Sequence, residues 1–197
     1  MKPVLRSELL DLGAYEEVRE RFRARIIEDK RRRRVALGPN MTVLFENHDT
    51  ALYQIQEMLR TERITQEKAI AHELETYNEL VPGKDELSAT FFIEYAERDE
   101  RDRMLVELAG VEHTLWFEAG GDRCEIQAEN RGDRTDRTTT VHYTKIPLGP
   151  RALAALSAGQ SPMKVGVSHA KYTAETVLSP ETVQALRGDL DLQTEGR

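Results

Sequence analysis

The fold class is decided by residues 49–95, whose sequence is DTALYQIQEMLRTERITQEKAIAHELETYNELVPGKDELSATFFIEY. Apolar residues recur every three or four positions through its first two thirds, and at every second position from Leu87 to Tyr95. The first spacing is typical of amphipathic helices and the second of a half-buried strand. A short link around Ile64 joins the two helical parts, so we expect an antiparallel helical hairpin. The stretch therefore predicts an α+β protein.

The hairpin consists of a helix over about residues 50–62 and a helix over about residues 66–80. Asp49 is the predicted N-cap of the first helix, and Thr65 the predicted cap of the second. Pro82-Gly83 ends the pair. The residues of the two apolar stripes are Ala51, Leu52, Ile55, Met58 and Leu59, then Ile70, Leu74, Tyr77 and Val81.

A long helix is predicted before the hairpin, over about residues 14–34. Its apolar stripe is Tyr15, Val18, Phe22 and Ile26. The basic run at its end suits the negative end of the helix dipole. A short strand follows at 41–46, where apolar and polar residues alternate.

The second half of the chain is predicted to consist mainly of strands. They cover about 87–95, 113–119, 123–129, 138–146, 163–167 and 172–178, with helices near 98–109, 150–156 and from 180 onward. Because this order is not a regular βαβ alternation, we expect the N-terminal helices to pack on a mainly antiparallel sheet. Phe91 is expected in the core. We expect one domain over 1–197, with a helical part at about 1–83, a β-rich part at about 84–192 and a frayed tail at 193–197.

Composition excludes several classes of protein. The chain has 197 residues, 39% of them hydrophobic and 32% charged, with a net charge of −7. This argues against disorder and against non-specific binding to nucleic acid. The longest apolar run is Ala152–Leu156, and acidic Glu8 and Asp11 occupy the start of the chain, so we expect no membrane span and a cytoplasmic location. A single cysteine, Cys124, excludes an internal disulfide and sites built from several cysteines.

The densest polar chemistry lies on the hairpin. His72, Glu75 and Glu79 share one flank of the second helix, and Glu57 lies on the helix predicted to face it. Such a nitrogen and oxygen set suits a divalent metal: iron, manganese or zinc. The alternative is that Arg60 or Arg63 neutralises the carboxylates. We expect the arginine pairing, and hence no cofactor.

Other motifs have simpler interpretations. Cys124 alternates with Ile126 and is expected to face the core. Ala170 occupies the last glycine position of a nucleophile-elbow pattern that begins at Gly166, so a serine hydrolase is not expected. A run of four arginines, Arg31, Arg32, Arg33 and Arg34, could bind an anion or RNA. We expect instead a solvated helix end and no nucleic-acid partner.

One pattern goes beyond generic periodicity. Its central block comprises 45–50, 53–60, 62–64, 73–74, 77–83, 86–90 and 93–95, accompanied by the opening 3–8 and the turn 168–172. The pattern resembles a bacterial family of uncharacterised proteins. The genes that encode members of this family often lie beside genes for a rubrerythrin-like protein and an iron–sulfur oxidoreductase. The block residues that the resemblance singles out, with no assigned role, are Asn47, Gln54, Gln56, Glu57, Arg60, Glu62, Arg63, Tyr77 and Asn78.

The resemblance implies an accessory or interaction protein of a cytoplasmic redox or peroxide-defence system. We expect it to bind a protein partner of that system and not to bind a membrane. Two alternatives stay open. One is an enzyme that binds a metal or small ligand through the His/Glu cluster of the hairpin. The other is a regulator that binds RNA or an anion through the arginine run. Residue chemistry leaves both enzyme and binding protein open, and does not specify the oligomeric state.

Overall fold

The computed structural model describes residues 1–128, 136–160 and 162–194, and the side chains up to residue 190 within them. Most of the segment between the predicted strands 123–129 and 138–146, and the last three residues of the predicted tail, lie outside these ranges. The described residues form six α-helices. They are α1 (Leu12–Arg33), α2 (His48–Thr61), α3 (Glu67–Asn78), α4 (Arg98–Glu107), α5 (Pro150–Ser157) and α6 (Pro180–Thr194).

The same ranges contain nine strands in two sheets, and every pairing between these strands is antiparallel. In chain order the strands are β1 (Arg34–Ala36), β2 (Met41–Glu46), β3 (Glu86–Ile93), β4 (Leu115–Ala119), β5 (Asp122–Glu125), β6 (Gln127–Ala128), β7 (Val141–Pro147), β8 (Lys164–His169) and β9 (Tyr172–Val177). Sheet A has the order β1-β2-β3-β7-β6 and sheet B the order β5-β4-β8-β9. The α+β class and the antiparallel pairing are confirmed, although the strands divide between two sheets.

The two sheets are joined at both sides. On one side the chain passes directly from β5 in sheet B to β6 in sheet A, through the buried Ile126. On the other side, the Tyr172 hydroxyl of β9 donates to the Leu37 carbonyl at 2.8 Å, and the Thr176 hydroxyl donates to the Ala36 carbonyl at 2.7 Å. Side chains of β9 thus cover the outer edge of β1.

The larger hydrophobic core lies between the sheets. Phe45 and Phe91 of sheet A and Phe117 of sheet B are buried there, and the rings of Phe45 and Phe117 meet edge to face at 6.3 Å. The burial of Phe91 and of Cys124 confirms the strand alternation. Helices α4, α5 and α6 contribute Leu105, Leu156 and Leu186 to the same core.

A second core holds the hairpin together. Ile55 and Leu59 of α2 pack with Ile70 of α3, as the two stripes predict. Residues 1–11, which we call the strap, contribute Val4 and Leu9 to this core.

Three local predictions are wrong. Asn47, not Asp49, caps α2: its side-chain oxygen accepts from the Thr50 amide at 2.8 Å, while the Thr50 hydroxyl accepts from the Asn47 amide. The cap of α3 is Gln66 rather than Thr65, and it makes no side-chain cap hydrogen bond. Arg34 leaves the first helix to pair with Leu44, because β1 buries Val35 beside β2.

Two further findings concern the predicted tail and the membrane. Helix α6 continues to Thr194, so residues 193 and 194 are helical rather than frayed. Among the described helices, none combines the length and the apolar character that crossing a bilayer requires.

Candidate functional site

The strap is held on the hairpin by two side-chain amides. Asn78 of α3 accepts from the Val4 amide at 2.7 Å and donates to the Val4 carbonyl at 3.0 Å. Gln56 of α2, which is only 2% exposed, does the same for Leu10, at 2.7 and 3.3 Å. Each side-chain amide thus accepts from and donates to one backbone residue. It supplies the two hydrogen bonds that a neighbouring strand would otherwise make. The strap is therefore fastened at two points, six residues apart.

Charged groups add two fastenings between these points. The guanidinium of Arg6 donates to both carboxylate oxygens of Glu67 on α3, at 3.0 and 2.7 Å. Glu8 accepts from the Leu5 amide at 2.7 Å and lies 3.2 Å from the Nε2 atom of His48. The middle of the strap thus depends on polar contacts in addition to Val4 and Leu9.

Helix α1 is attached to α2 by ion pairs. Glu57 accepts two hydrogen bonds from Arg19, both at 2.8 Å, and one from the Tyr15 hydroxyl at 2.7 Å. The hydrogen bond from Arg19 is the main cause that lowers the pKa of Glu57, while burial raises the pKa of Tyr15. Arg60 donates to Glu16 at 2.6 Å. These contacts turn the polar side of α2 toward α1.

Most residues of the family block therefore fasten elements rather than converge in one pocket. Asn47, Glu57 and Arg60 bind side chains of α1, while Gln56 and Asn78 bind the backbone of the strap. The remaining block residues shape the hairpin. Gln54 is half-buried on α2, Glu62 is the C-cap of α2, Arg63 has a left-handed φ of 53° in the link, and Tyr77 packs against the second core.

The predicted metal ligands lie on two helices. His72, Glu75 and Glu79 are on the exposed side of α3. Glu57 is engaged by Arg19 and Tyr15 of α1. Within the described ranges, no group of three or more histidine, cysteine or acidic residues is placed to hold a metal ion. The arginine that pairs with Glu57 is Arg19 of α1, not Arg60 or Arg63 of the hairpin as we expected. The metal alternative stays a hypothesis.

The arginine run is divided among several partners. Arg31 pairs with Glu28 and Arg32 with Asp29, each at 3.0 Å, while Arg34 lies over the Phe92 ring. Arg33 is only 5% exposed. The expectation of a solvated helix end is wrong for this one residue, because its guanidinium is buried against α6.

Arg33 forms the floor of a cavity that has a volume of about 830 Å³. Its guanidinium donates to both oxygens of Asp189 and, through Nε, to Asp29 at 2.9 Å. Asn47 donates to the same Asp29. Burial raises the pKa of Asp189. We call this space the polar cavity, and its walls also carry Lys2, Arg32, His48, Asp49, Glu181 and Gln184.

A second cavity, of about 440 Å³, lies between the strap, α1 and α2. We call it the apolar cavity, because its walls include Leu10, Val18, Phe22 and Leu52. The Leu10 side chain is 42% exposed, and Glu8, Arg21 and Arg25 border the opening.

A third cavity, of about 350 Å³, has lining residues in common with both. It shares Arg25 with the apolar cavity, and Arg32, Asn47 and Asp49 with the polar cavity. The three spaces lie in a row along α1, which lines them from Tyr15 to Arg33, about 27 Å of helix axis. We call this row the α1 groove.

The profile of the family described as "Protein of unknown function (DUF3501)" matches residues 3–190. The chain belongs to this family. No curated protein matches it in sequence.

A solved structure supports the family's fold. The chain is similar to the crystal structure of a novel protein of unknown function from Burkholderia pseudomallei, with 35% sequence identity and a TM-score of 0.90. The similarity covers 96% of this chain and all of the other. The two proteins therefore share the fold described above nearly throughout.

Several residues of the α1 groove had no signal in the sequence. Asp189 lies 156 positions from Arg33, and Gln56 lies 46 positions from Leu10. No local spacing rule covers such distances. The family block did contain Asn47, Gln56 and Asn78, but gave them no role.

Proposed function

We propose that this protein is an accessory protein that binds a protein partner of a cytoplasmic redox or peroxide-defence system along the α1 groove. The proposal rests on the contacts that residues of the family block make in the structure. Five of its residues fasten the strap or α1 to the hairpin, and two of these, Asn47 and Gln56, also line this groove. Residues of a catalytic centre would converge on one reacting group.

The shape of the α1 groove supports binding of a polypeptide segment. A helix in a groove is a common mode of recognition, and the groove is long enough for several helical turns. Its apolar end offers an anchor pocket with the half-exposed Leu10 beside it. Buried apolar anchors of this kind contribute most of the affinity in such interfaces.

The redox part of the proposal rests on the resemblance to the family. Genes of such proteins often lie beside genes for rubrerythrin-like and iron–sulfur proteins. The position of Cys124 is consistent with a binding role. Its side chain is buried opposite Phe117 in the core between the sheets, away from an external thiol or disulfide.

The test is direct binding to purified proteins. The rubrerythrin-like protein and the iron–sulfur oxidoreductase of the same genome are immobilised in turn, and the wild-type affinity is measured. Leu10→Glu places a charge at the apolar cavity and is expected to weaken binding at least about tenfold. Val177→Glu is the matched control, because Val177 is 55% exposed on β9 of sheet B. If the wild type binds neither protein, the proposal is overturned. If Val177→Glu weakens binding as much as Leu10→Glu does, the interface does not lie in the α1 groove.

A second candidate function, binding of a small polar ligand, is favoured by the polar cavity. A volume of about 830 Å³ above a buried ion pair is in the range of ligand sites. Thermal shift in a series of small carboxylates, amino acids and inorganic phosphate tests it. A shift in wild type that is lost in Gln184→Trp, which fills the cavity, supports ligand binding, and no shift in wild type contradicts it.

A further inference from the structure

His48 occupies the point where the strap meets the start of α2. Its Nδ1 atom lies 3.1 Å from Asp49, and its Nε2 atom lies 3.2 Å from Glu8 of the strap. The side chain is 22% exposed. One imidazole ring thus bridges two carboxylates that belong to two different segments.

The bridge requires a proton. A neutral imidazole carries one N–H, so it can donate to only one of the two carboxylates and turns a lone pair toward the other. An imidazolium donates to both, and each hydrogen bond to a charged acceptor is stronger than a neutral one.

Asp49 has a second partner when the bridge opens, whereas Glu8 loses an anchor. Arg25 of α1 donates to Asp49 at 3.0 Å and keeps this carboxylate in place. Glu8 keeps its contact within the strap, to the Leu5 amide. The weaker link is therefore the one between the strap and α2.

The other charged side chains around His48 keep their sign near neutral pH, whereas burial lowers the pKa of the Met1 amine, so that this amine also titrates near neutral pH. Helix α1 contributes Arg25 and Arg33, which act on His48 through Asp49. The strap contributes Lys2 and the amine of Met1, whose sulfur accepts from the His48 amide, and α6 contributes Glu181 and Asp189 across the polar cavity. Among the groups facing the bridge, His48 is the side chain whose ordinary titration range lies near pH 6 to 7.

We propose that His48 is a proton-operated latch: its imidazolium ties Glu8 of the strap to the start of α2, and loss of the proton frees this part of the strap. Glu8 and Leu10 both line the apolar cavity. Opening the latch therefore loosens one wall of the α1 groove. The latch concerns the isolated chain, and its effect on partner binding rests on the function proposed above.

The direction of the pH effect follows from the two partners. The hydrogen bond to Asp49 is the main cause that raises the pKa of His48, and Glu8 adds to it, while burial opposes it. A folded-state pKa above the unfolded value of about 6.5 means that the latch is fully present below about pH 6.5. It is lost as the pH rises through the raised pKa. The pKa of Asp49 is lowered, mainly by His48, so the latch also weakens when acid protonates Asp49, below about pH 4.

Amide hydrogen exchange of the strap tests the latch. Protection factors of the Leu5 and Leu10 amides are measured from pH 5 to 8.5 on the isolated protein and corrected for intrinsic exchange. In wild type we expect a decrease of about three- to tenfold as the pH rises, the effect of one charge-assisted contact in a partly exposed site. His48→Gln is expected to show the low protection at every pH. His48→Arg, which cannot lose its charge in this range, is expected to keep high protection throughout.

Two further variants complete the test. Glu8→Gln keeps His48 and Asp49 but removes the strap carboxylate, and is expected to abolish the pH dependence and to lower the pKa of His48 in an NMR titration. His113→Gln, at a histidine whose side chain is 80% exposed, is the control and is expected to follow wild type. A wild-type protection that does not change with pH would overturn the latch, as would an unchanged pH dependence in His48→Gln. Because no partner is present, failure of the proposed function leaves this result unaffected.

Discussion

The guanidinium of Arg33, at the end of α1, donates two hydrogen bonds to the carboxylate of Asp189 on α6, at 2.5 and 2.9 Å. The two side chains are 6% and 4% exposed. Burying two charges costs solvation free energy, which paired hydrogen bonds offset only while both partners are present. The pair joins the two helices that face each other across the polar cavity.

We expect Arg33→Met to lower the free energy of unfolding by about 3–5 kcal/mol, because it leaves Asp189 buried without its cation. Burial already raises the pKa of Asp189, so the folded variant binds a proton more tightly than the unfolded chain, and its deficit should shrink as the pH falls. Chemical denaturation at pH 5 and pH 8 measures both effects. Arg32→Met, at an exposed ion pair, is the control. A double variant Arg33→Met/Asp189→Leu that is no more stable than Arg33→Met would contradict this interpretation.

Gly166 is required by a tryptophan. A Cβ at this position would lie 2.1 Å from the Trp116 ring, which rests on the strand while its Nε1 donates to Ser168 at 3.0 Å. Gly166→Ala should therefore lower the free energy of unfolding by about 1–3 kcal/mol and change the tryptophan fluorescence. Gly188→Ala on α6, where a Cβ meets nothing within 4 Å, should instead stabilise the protein by about 0.5–1 kcal/mol. Equal effects of the two substitutions would show that the ring is free to move aside.

The amide fastenings of the strap can be measured by proteolysis. Trypsin cleaves after Arg6 only when the strap detaches, and Gln56→Leu or Asn78→Leu removes both hydrogen bonds at one end. We expect cleavage at Arg6 to accelerate at least about fivefold in each variant, since local opening becomes less costly. Gln54→Leu, at a half-buried glutamine of the same helix, should leave the rate unchanged. A wild-type rate in both strap variants would mean that the apolar contacts of Val4 and Leu9 and the ion pairs of Arg6 and Glu8 hold the segment without the amides.

The thiol of Cys124 should react slowly with an external thiol reagent in the folded protein. It is 8% exposed and lies opposite Phe117 in the core between the sheets. Labelling should become fast in denaturant. Rapid stoichiometric labelling under native conditions would contradict the burial and reopen a redox role for this residue.

The metal hypothesis for the hairpin is tested by elemental analysis of wild type, His72→Ala and Glu75→Gln. We expect no stoichiometric metal in wild type, because Arg19 and Tyr15 already satisfy Glu57. Stoichiometric iron, manganese or zinc that is lost in both variants would establish a metal site on α3. Glu57→Gln in the same measurement would show whether α2 contributes a ligand.

Periodicity was sufficient for the longer helices and strands and for their buried faces. The spacing of Ile55, Leu59 and Ile70 predicted the hairpin, and alternation predicted the burial of Phe91 and Cys124, because both signals come from residues close in sequence. Alternation specifies which face of a strand is buried but not which strand lies beside it. The division into two sheets was therefore beyond its reach.

The α1 groove illustrates the same limit for a site. Its floor is an ion pair between distant segments, and its strap is held by amides that bind backbone groups 46 and 74 positions away. Neither arrangement produces a spacing pattern in the sequence, because the partners are distant along the chain. A glutamine or asparagine on a polar helix face has the same kind of sequence neighbours whether or not it binds a distant backbone group. The strand β1 was missed for a related reason, since its three residues are too few to show a period.

The hydroxyls of Tyr172 and Thr176 have a consequence for the incomplete chain during its synthesis. They occupy carbonyls of Leu37 and Ala36 on the outer edge of β1, a strand completed early in synthesis. Until β9 leaves the ribosome, that edge is an open template on which another nascent chain can add a strand. A chain that stops before Tyr172 should therefore aggregate even if its first three helices and sheet A have formed. Protection from edge-to-edge association arrives only with the last hairpin.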